Sequence, residues 1–247
     1  MFGLFKKKEQ KKEVDFDYSA IAVDMHSHVL PGIDDGAQNP QESIELVKKM
    51  MELGIKKIIA TPHIMADYYK NNAETIGNAL KILKEELKKE NINIPIEAAA
   101  EHYFDETFEE RVNNQTLMTM GGNYVLFELS FISKPPNLTE MIQKMLDLKY
   151  RPILAHPERY SYMDIKQLRS LREMGCLLQI NTISLVGYYG RDAKKTAESL
   201  IDSDLVDFIS SDMHHLRHAE ALGNALSTTY VEKLVKHSYP LKNIMLK

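Results

Sequence analysis

Histidine and carboxylate side chains recur along this chain in spacings that metal sites use, beginning with Val23-Asp24-Met25-His26-Ser27-His28. On extended backbone, residues i and i+2 point to one face, so His26 and His28 can grip a single cation while Ser27 turns away. Two adjacent carboxylates, Asp34 and Asp35, follow a short loop later. Taken alone, a His-x-His pair fits backbone-satisfied loop histidines as well as it fits a metal site.

The same chemistry returns at the ends of other apolar runs. Ile58-Ile59-Ala60 leads to Thr61-Pro62-His63, Ala98-Ala99-Ala100 to Glu101, and Val125-Leu126-Phe127 to Glu128. Ile153-Leu154-Ala155 leads to His156-Pro157-Glu158-Arg159, and Phe208-Ile209-Ser210-Ser211 to Asp212-Met213-His214. A strand-end histidine can simply bond a carbonyl, and a glutamate can mark the exit to solvent. Six such coincidences are a poorer account than one shared metal site. Five histidines and four carboxylates without a thiolate suit Mn, Fe or Zn better than Cu(I) or Ca. A cluster of two or three metals makes hydroxide from water near neutral pH and neutralises phosphoryl oxygens, so the expected reaction is hydrolysis, with a phosphate ester favoured. Arg159, three residues past His156, and Arg217, three past His214, are spaced for charge-assisted bonds to phosphate. The plain alternative for both is a surface salt bridge, and for Arg217 the two readings are nearly balanced.

These residues need a frame that brings their strand ends together. Short β-branched runs alternate with 3.6-period segments, the pattern of a parallel sheet wrapped by helices. Strands are expected at 20–25, 57–61, 94–100, 124–129, 152–155, 177–181 and 206–210. Asn39-Pro40-Gln41-Glu42 offers an N-cap, a proline at N1 and a reaching glutamate, and Gly54 ends that helix. Further helices are expected at about 73–90, 138–148, 165–174, 194–201 and 222–235. Seven strand-helix units imply an α/β barrel one unit short of the eight-stranded type, whose active sites lie at the C-terminal rim. A doubly wound open sheet is the alternative, but no Gly-x-Gly-x-x-Gly follows any strand, which weakens its dinucleotide-binding form.

Composition narrows the function classes. The 247 residues, 44% apolar and 27% charged, describe an ordinary globular chain, read here as one domain over 18–247 behind a flexible Lys-rich tail over 1–17. A net charge of -4 without a basic stripe argues against nucleic-acid binding. No segment approaches a transmembrane span. The apolar tip Met1-Phe2-Gly3-Leu4-Phe5 is too short for a signal peptide, and with the lysines behind it offers at most peripheral membrane contact. Cys176 is the single cysteine, so no intrachain disulfide forms and a reducing cytoplasm is the simpler compartment. It begins a strand and no arginine follows before Arg191, so it reads as a core residue rather than a phosphatase nucleophile. Tyr68, Tyr69, Tyr188 and Tyr189 either line the pocket mouth or cap the core.

Asp24-Met25-His26-Ser27-His28 with Ile33-Asp34-Asp35-Gly36, Thr61-Pro62-His63, Ala155-His156-Pro157-Glu158-Arg159-Tyr160 and Ser211-Asp212-Met213-His214 resemble the polymerase-and-histidinol-phosphatase (PHP) superfamily. Within it they are most similar to the bacterial capsule-synthesis protein-tyrosine phosphatases, over roughly residues 24–246. The resemblance implies a distorted seven-stranded (β/α)7 barrel holding up to three divalent ions, Mn2+ foremost, with Fe or Zn as alternatives. It implies hydrolysis of phosphotyrosine by a metal-bridging hydroxide, on a tyrosine autokinase that regulates polysaccharide synthesis. It places His26, His28, Asp35, His63, Glu101, Glu128, His156, Asp212 and His214 at ligand positions. Asp35 is preferred to Asp34 because the family's ligand directly precedes the glycine. Arg159 matches a phosphate-contacting arginine, whereas the family's second arginine falls further along than Arg217. His214 or a water is the implied proton donor, and His102 should face away from Glu101. Histidinol-phosphate phosphatase is the nearest rival reading, and a metal-binding regulatory module without catalysis is a more distant one.

Overall fold

A computed structural model describes residues 18–236 and 241–246. The tail expected over 1–17 lies outside the described residues. The strands are β1 (Val23–Asp24), β2 (Lys57–Ala60), β3 (His63–Ile64), β4 (Ile96–Ala98), β5 (Glu101–Tyr103), β6 (Tyr124–Glu128), β7 (Arg151–Ala155), β8 (Leu177–Asn181) and β9 (Phe208–Ser210). All pair in parallel, in two sheets ordered β1-β2-β4 and β3-β5-β6-β7-β8-β9. The helices are α1 (Pro40–Glu52), α2 (Ala73–Lys89), α3 (Glu106–Asn113), α4 (Leu138–Asp147), α5 (Ile165–Met174), α6 (Arg191–Asp202), α7 (Leu216–Leu226) and α8 (Thr229–Lys236).

The seven expected strand positions are all occupied, but the second and third are each followed, after a break, by a further short strand beyond the expected range, β3 and β5. Pro62 has no N–H to donate, and Thr61 N turns to Ser27 O instead. Ala99 N still bonds Ala60 O and Glu101 N bonds Pro62 O, so the two sheets run into one another across the breaks. The first strand is shorter than expected, because residues 18–20 form a 3₁₀ turn and Ala22 takes a positive φ of 70°. Beyond β1 and β9 the chain ends still pair: Asp212 N donates to His26 O, His28 N to Met213 O, and Ser27 bridges Met213. Asp24 reinforces this junction by accepting hydrogen bonds from Ser210 Oγ, Ser211 N and Ser211 Oγ, and burial pushes its carboxyl up to about 6.

Side chains alternate between two cores. Tyr124, Leu126, Ile153, Ile59 and Phe208 pack with Val23 and Met25 in an inner cluster, while Val125, Phe127, Leu154 and Ile58 join the larger cluster under the helices. That two-sided burial is what a parallel sheet wrapped by helices requires. The alternation also aims the site: Glu128 continues the inward series Tyr124, Leu126 at the strand's C-terminal end.

Helix signals were accurate where caps are strong. Asn39 Oδ1 accepts from Glu42 N at the start of α1, and α5 ends on Gly175 at φ 110°. One helix expected over 222–235 is two, because Thr228 interrupts it, donating its hydroxyl to Ala225 O and receiving Val231 N. Sequence reading missed α3, although Asp105 is a regular N-cap, accepting from Phe108 N.

Candidate metal centre

His26 and His28 follow β1 and converge as their spacing predicts, with Nε2 atoms 3.2 Å apart. Glu101, the first residue of β5, sends Oε2 to within 3.1 Å of His26 Nε2 and 3.3 Å of His28 Nε2. Asp212, past β9, sends Oδ1 to 3.3 and 3.5 Å from the same two atoms. A tetrahedron of N and O donors about 2.0–2.1 Å from a central cation has edges of roughly 3.3–3.4 Å. The two imidazole nitrogens therefore already stand at that spacing from each other and from each of the two carboxylate oxygens, as a divalent ion held by them demands.

Two further sets adjoin this one. His63 Nδ1 faces Glu101 Oε2 at 3.2 Å and Glu128 Oε1 at 3.1 Å, yet it is buried and makes no hydrogen bond. A buried ring nitrogen between two carboxylates is costly unless something lies among them, and a cation fits that need. His156 Nε2 lies 3.0 Å from Glu101 Oε1. On the open side Asp35 Oδ1 stands 3.5 Å from both His63 Nε2 and His214 Nε2. Four overlapping groups of potential ligands result: His28, Asp35, His63 and His214; His26, His28 and Glu101; His26, His156 and Asp212; His63, Glu101 and Glu128. Among the described residues they contain the nine expected ligands and nothing else.

The surroundings orient these donors. His28 Nδ1 bonds Asp34 Oδ2 at 2.8 Å, which turns Nε2 to the cluster, and Asp34 also accepts from His63 N and Gly36 N. His214 Nδ1 is held by Asp212 O at 2.8 Å. His26 Nδ1 is held by Gln179 Oε1 at 3.0 Å, and Gln179 Nε2 continues to Asn181 Oδ1, whose amide donates to Asp212 Oδ2. Neither Gln179 nor Asn181 was foreseen from sequence. They sit two apart on β8, which bears no titratable ligand, and a buried amide pair on one strand face was the signal available. His218, also unforeseen, supports Asp212 O from α7.

Charges reinforce one another here. Burial opposes ionisation of all three imidazoles, but Glu101 and Asp212 raise His26, and Asp34 and Glu101 raise His28. Against the same burial, Glu101 and Glu128 push His63 up to about 9. Burial likewise opposes the anions, yet the facing imidazoles hold Glu101 and Asp212 well below the carboxylate range. Cation binding replaces the imidazolium protons.

A cleft of about 490 Å³ opens over the cluster, lined among others by Arg159, Tyr69, Phe131 and Tyr189. The Arg159 guanidinium lies between the Phe131 and Tyr189 rings, 4.4 and 4.1 Å from their centroids, and 3.5 Å from Asp212 Oδ2. Tyr189 O–H donates to the same oxygen. Tyr69 stacks on His63, so Tyr69 and Tyr189 line the mouth, while Tyr188 packs edge-on to His218 and Tyr68 is exposed. Arg217 is not brought to the cleft. It lines a neighbouring groove with Glu42 and Leu46. His102 faces outward as expected, Nε2 toward Met118 O, and burial lowers it to about 3. Cys176 is a core residue whose thiol burial pushes up.

A parallel α/β fold that brings nine histidines and carboxylates together at its strand ends places the chain in the class of metal-dependent hydrolases. More narrowly, it belongs to the capsular polysaccharide synthesis family CpsB/CapC, whose model it matches over residues 22–246. It is 33% identical to the tyrosine-protein phosphatase YwqE of Bacillus subtilis over 201 residues, covering 79% of this chain and 78% of that protein. It is 32% identical to the putative tyrosine-protein phosphatase CapC of Staphylococcus aureus, over 78% of this chain and 77% of that one. Among solved structures, it superposes with a TM-score of 0.82 on a chain from the crystal structures of YwqE of Bacillus subtilis and CpsB of Streptococcus pneumoniae, described as metal-dependent tyrosine phosphatases. That match has 28% identity and covers 91% of this chain and 93% of that chain.

Proposed function

We propose that this chain is a metal-dependent protein-tyrosine phosphatase of capsular or exopolysaccharide synthesis. In this reading His26, His28, Asp35, His63, Glu101, Glu128, His156, Asp212 and His214 hold up to three divalent ions, Mn2+ first among them. The observation that carries it is the convergence of these nine residues, and no other described ones, into ion-sized groups beneath a guanidinium. Relatives named as tyrosine phosphatases favour this ester over histidinol phosphate.

Bound there, divalent ions supply a hydroxide nucleophile at neutral pH and neutralise phosphoryl oxygens. The chain's own residues do the rest. Arg159, held between two rings, directs its guanidinium to the equatorial oxygens. Four carboxylates offset most of the charge of three divalent ions, and the remaining positive balance attracts a phosphate dianion. The Tyr69 and Phe131 faces accept the substrate's ring. A phenol of pKa about 10 leaves with little acid help, and we assign proton delivery to water on the open side, since His214 Nε2 faces the cluster and its Nδ1 is held by Asp212 O. The substrate is a phosphotyrosine protein, in our reading a cytoplasmic tyrosine autokinase; among the described residues no helix is long and apolar enough to cross a membrane.

The test pairs metal quantification on purified protein with turnover of a phosphotyrosine peptide and of histidinol phosphate. Two or three bound ions with preference for the peptide are expected. Preference for histidinol phosphate, or turnover indifferent to chelation, overturns the proposal.

A further inference from the structure

Nine large apolar side chains are exposed among the described residues, and six of them lie on segments that follow strand C-termini, around the cleft. Tyr68 follows β3, Phe131 and Ile132 follow β6, Val186 and Tyr188 follow β8, and Leu216 follows β9. Ile132 is 89% exposed, Tyr68 74% and Leu216 47%. Burial of such surface is favourable, and the gathering of six of the nine on segments that follow strand C-termini marks a contact site.

The rim is continuous with the cleft. Ile132 stands on its wall, Tyr68 adjoins Tyr69 inside it, and Leu216 lines the neighbouring groove of about 350 Å³ that shares His214 and His215 with it. A phosphotyrosine side chain reaching down to the cluster leaves its own backbone at the mouth. Flanking residues of an extended segment advance about 3.3 Å each, so positions one and two away fall on this rim. A small phosphate ester has no atoms there.

We propose that Tyr68, Ile132 and Leu216 form a docking rim for apolar residues flanking the phosphotyrosine of a protein substrate, an inference that rests on the phosphatase reading above. The rim confers preference for a protein over a small ester without touching the reacting atoms.

The test compares wild type with Ile132→Ser, and with a triple variant adding Tyr68→Ser and Leu216→Ser. The substrates are p-nitrophenyl phosphate, a phosphotyrosine peptide with apolar flanks, and the same peptide with serine flanks. The triple variant should lose about tenfold in kcat/KM on the apolar peptide, through KM, with p-nitrophenyl phosphate unchanged. Wild type should lose the same factor on the serine-flanked peptide, and the variant nothing more. Equal losses on all three substrates, or none, overturn the rim. A dimer that dissociates in the variant with unchanged kinetics also overturns it, giving the surface to a second copy. If wild type turns over p-nitrophenyl phosphate but neither peptide, the phosphatase reading fails first and removes the rim's premise. Because Ile132 is almost fully exposed, its substitution does not threaten folding.

Discussion

Adjacent aspartates with opposite assignments show what decides a residue's role here. Asp34 is buried and spends both oxygens on His28 Nδ1, His63 N and Gly36 N, whereas Asp35 leaves Oδ1 facing His63 and His214. Gln179 acts on His26 as Asp34 acts on His28, fixing the ring so that Nε2 faces the cluster. Partners of this kind are typically worth 10–100-fold in metal affinity. Gln179→Ala should therefore weaken binding of added Mn2+ by about tenfold or more, read by competition with a chelator, while leaving the fold intact. Arg159→Lys should raise KM for a phosphotyrosine peptide far more than it alters metal content, because an ammonium cannot lie flat between Phe131 and Tyr189 or present a fork. The nine clustered residues were legible because imidazole and carboxylate at strand ends are chemically conspicuous. Gln179 was not, since a buried amide has no signature until the strand's facing is known, and for Arg217 residue spacing does not say which side of α7 meets the cleft; it lines the adjoining groove.

At the scale of elements, the loops matter more than the strands they end. His156 and Asp212, neither a glycine, both take left-handed backbone, with φ of 33° and 51°. That conformation is disfavoured for side-chain-bearing residues and is held here by the hydrogen bonds around it. At Gly36 the need is space rather than φ: a Cβ there would meet His28 O at 1.9 Å and His28 Cβ at 2.5 Å. Ala37 N bonds the same carbonyl, so the loop cannot back away. Gly36→Ala should cost about 3 kcal/mol, read as a fall in Tm, and should reduce metal content because the displaced loop carries Asp34 and Asp35. The alternation of strand and helix was readable from apolar periodicity, and capped helices such as α1 and α5 from their end residues. What escaped depended on pairing: the breaks at Pro62 and between Ala98 and Glu101 follow from how β2 and β3 meet β4 and β5. The split of α7 from α8 follows from a threonine side chain competing for backbone groups.

For the molecule as a whole, the cluster joins chain segments from His26 to His214, so ion binding ties the first strand to the last and becomes part of folding stability. Chelation should lower Tm, and Mn2+ should restore it in proportion to free ion, a dependence that scanning calorimetry reads directly. The same experiment separates the two chemistries open to a tyrosine phosphatase. A thiolate route needs an accessible, low-pKa cysteine beside an anion-binding loop. Cys176 is fully buried in the core just past the end of α5, its thiol pushed up by burial and donating to Leu177 O at 3.7 Å. Cys176→Ser should thus cost about 1–3 kcal/mol, because a hydroxyl replaces a thiol in an apolar site, yet keep turnover per folded molecule near the wild-type value. Glu101→Gln should do the reverse in activity, abolishing turnover, because Glu101 faces His26, His28, His63 and His156 together. If Cys176→Ser were inactive while Glu101→Gln and chelated protein kept their rates, the metal route would be wrong and the cluster a structural one.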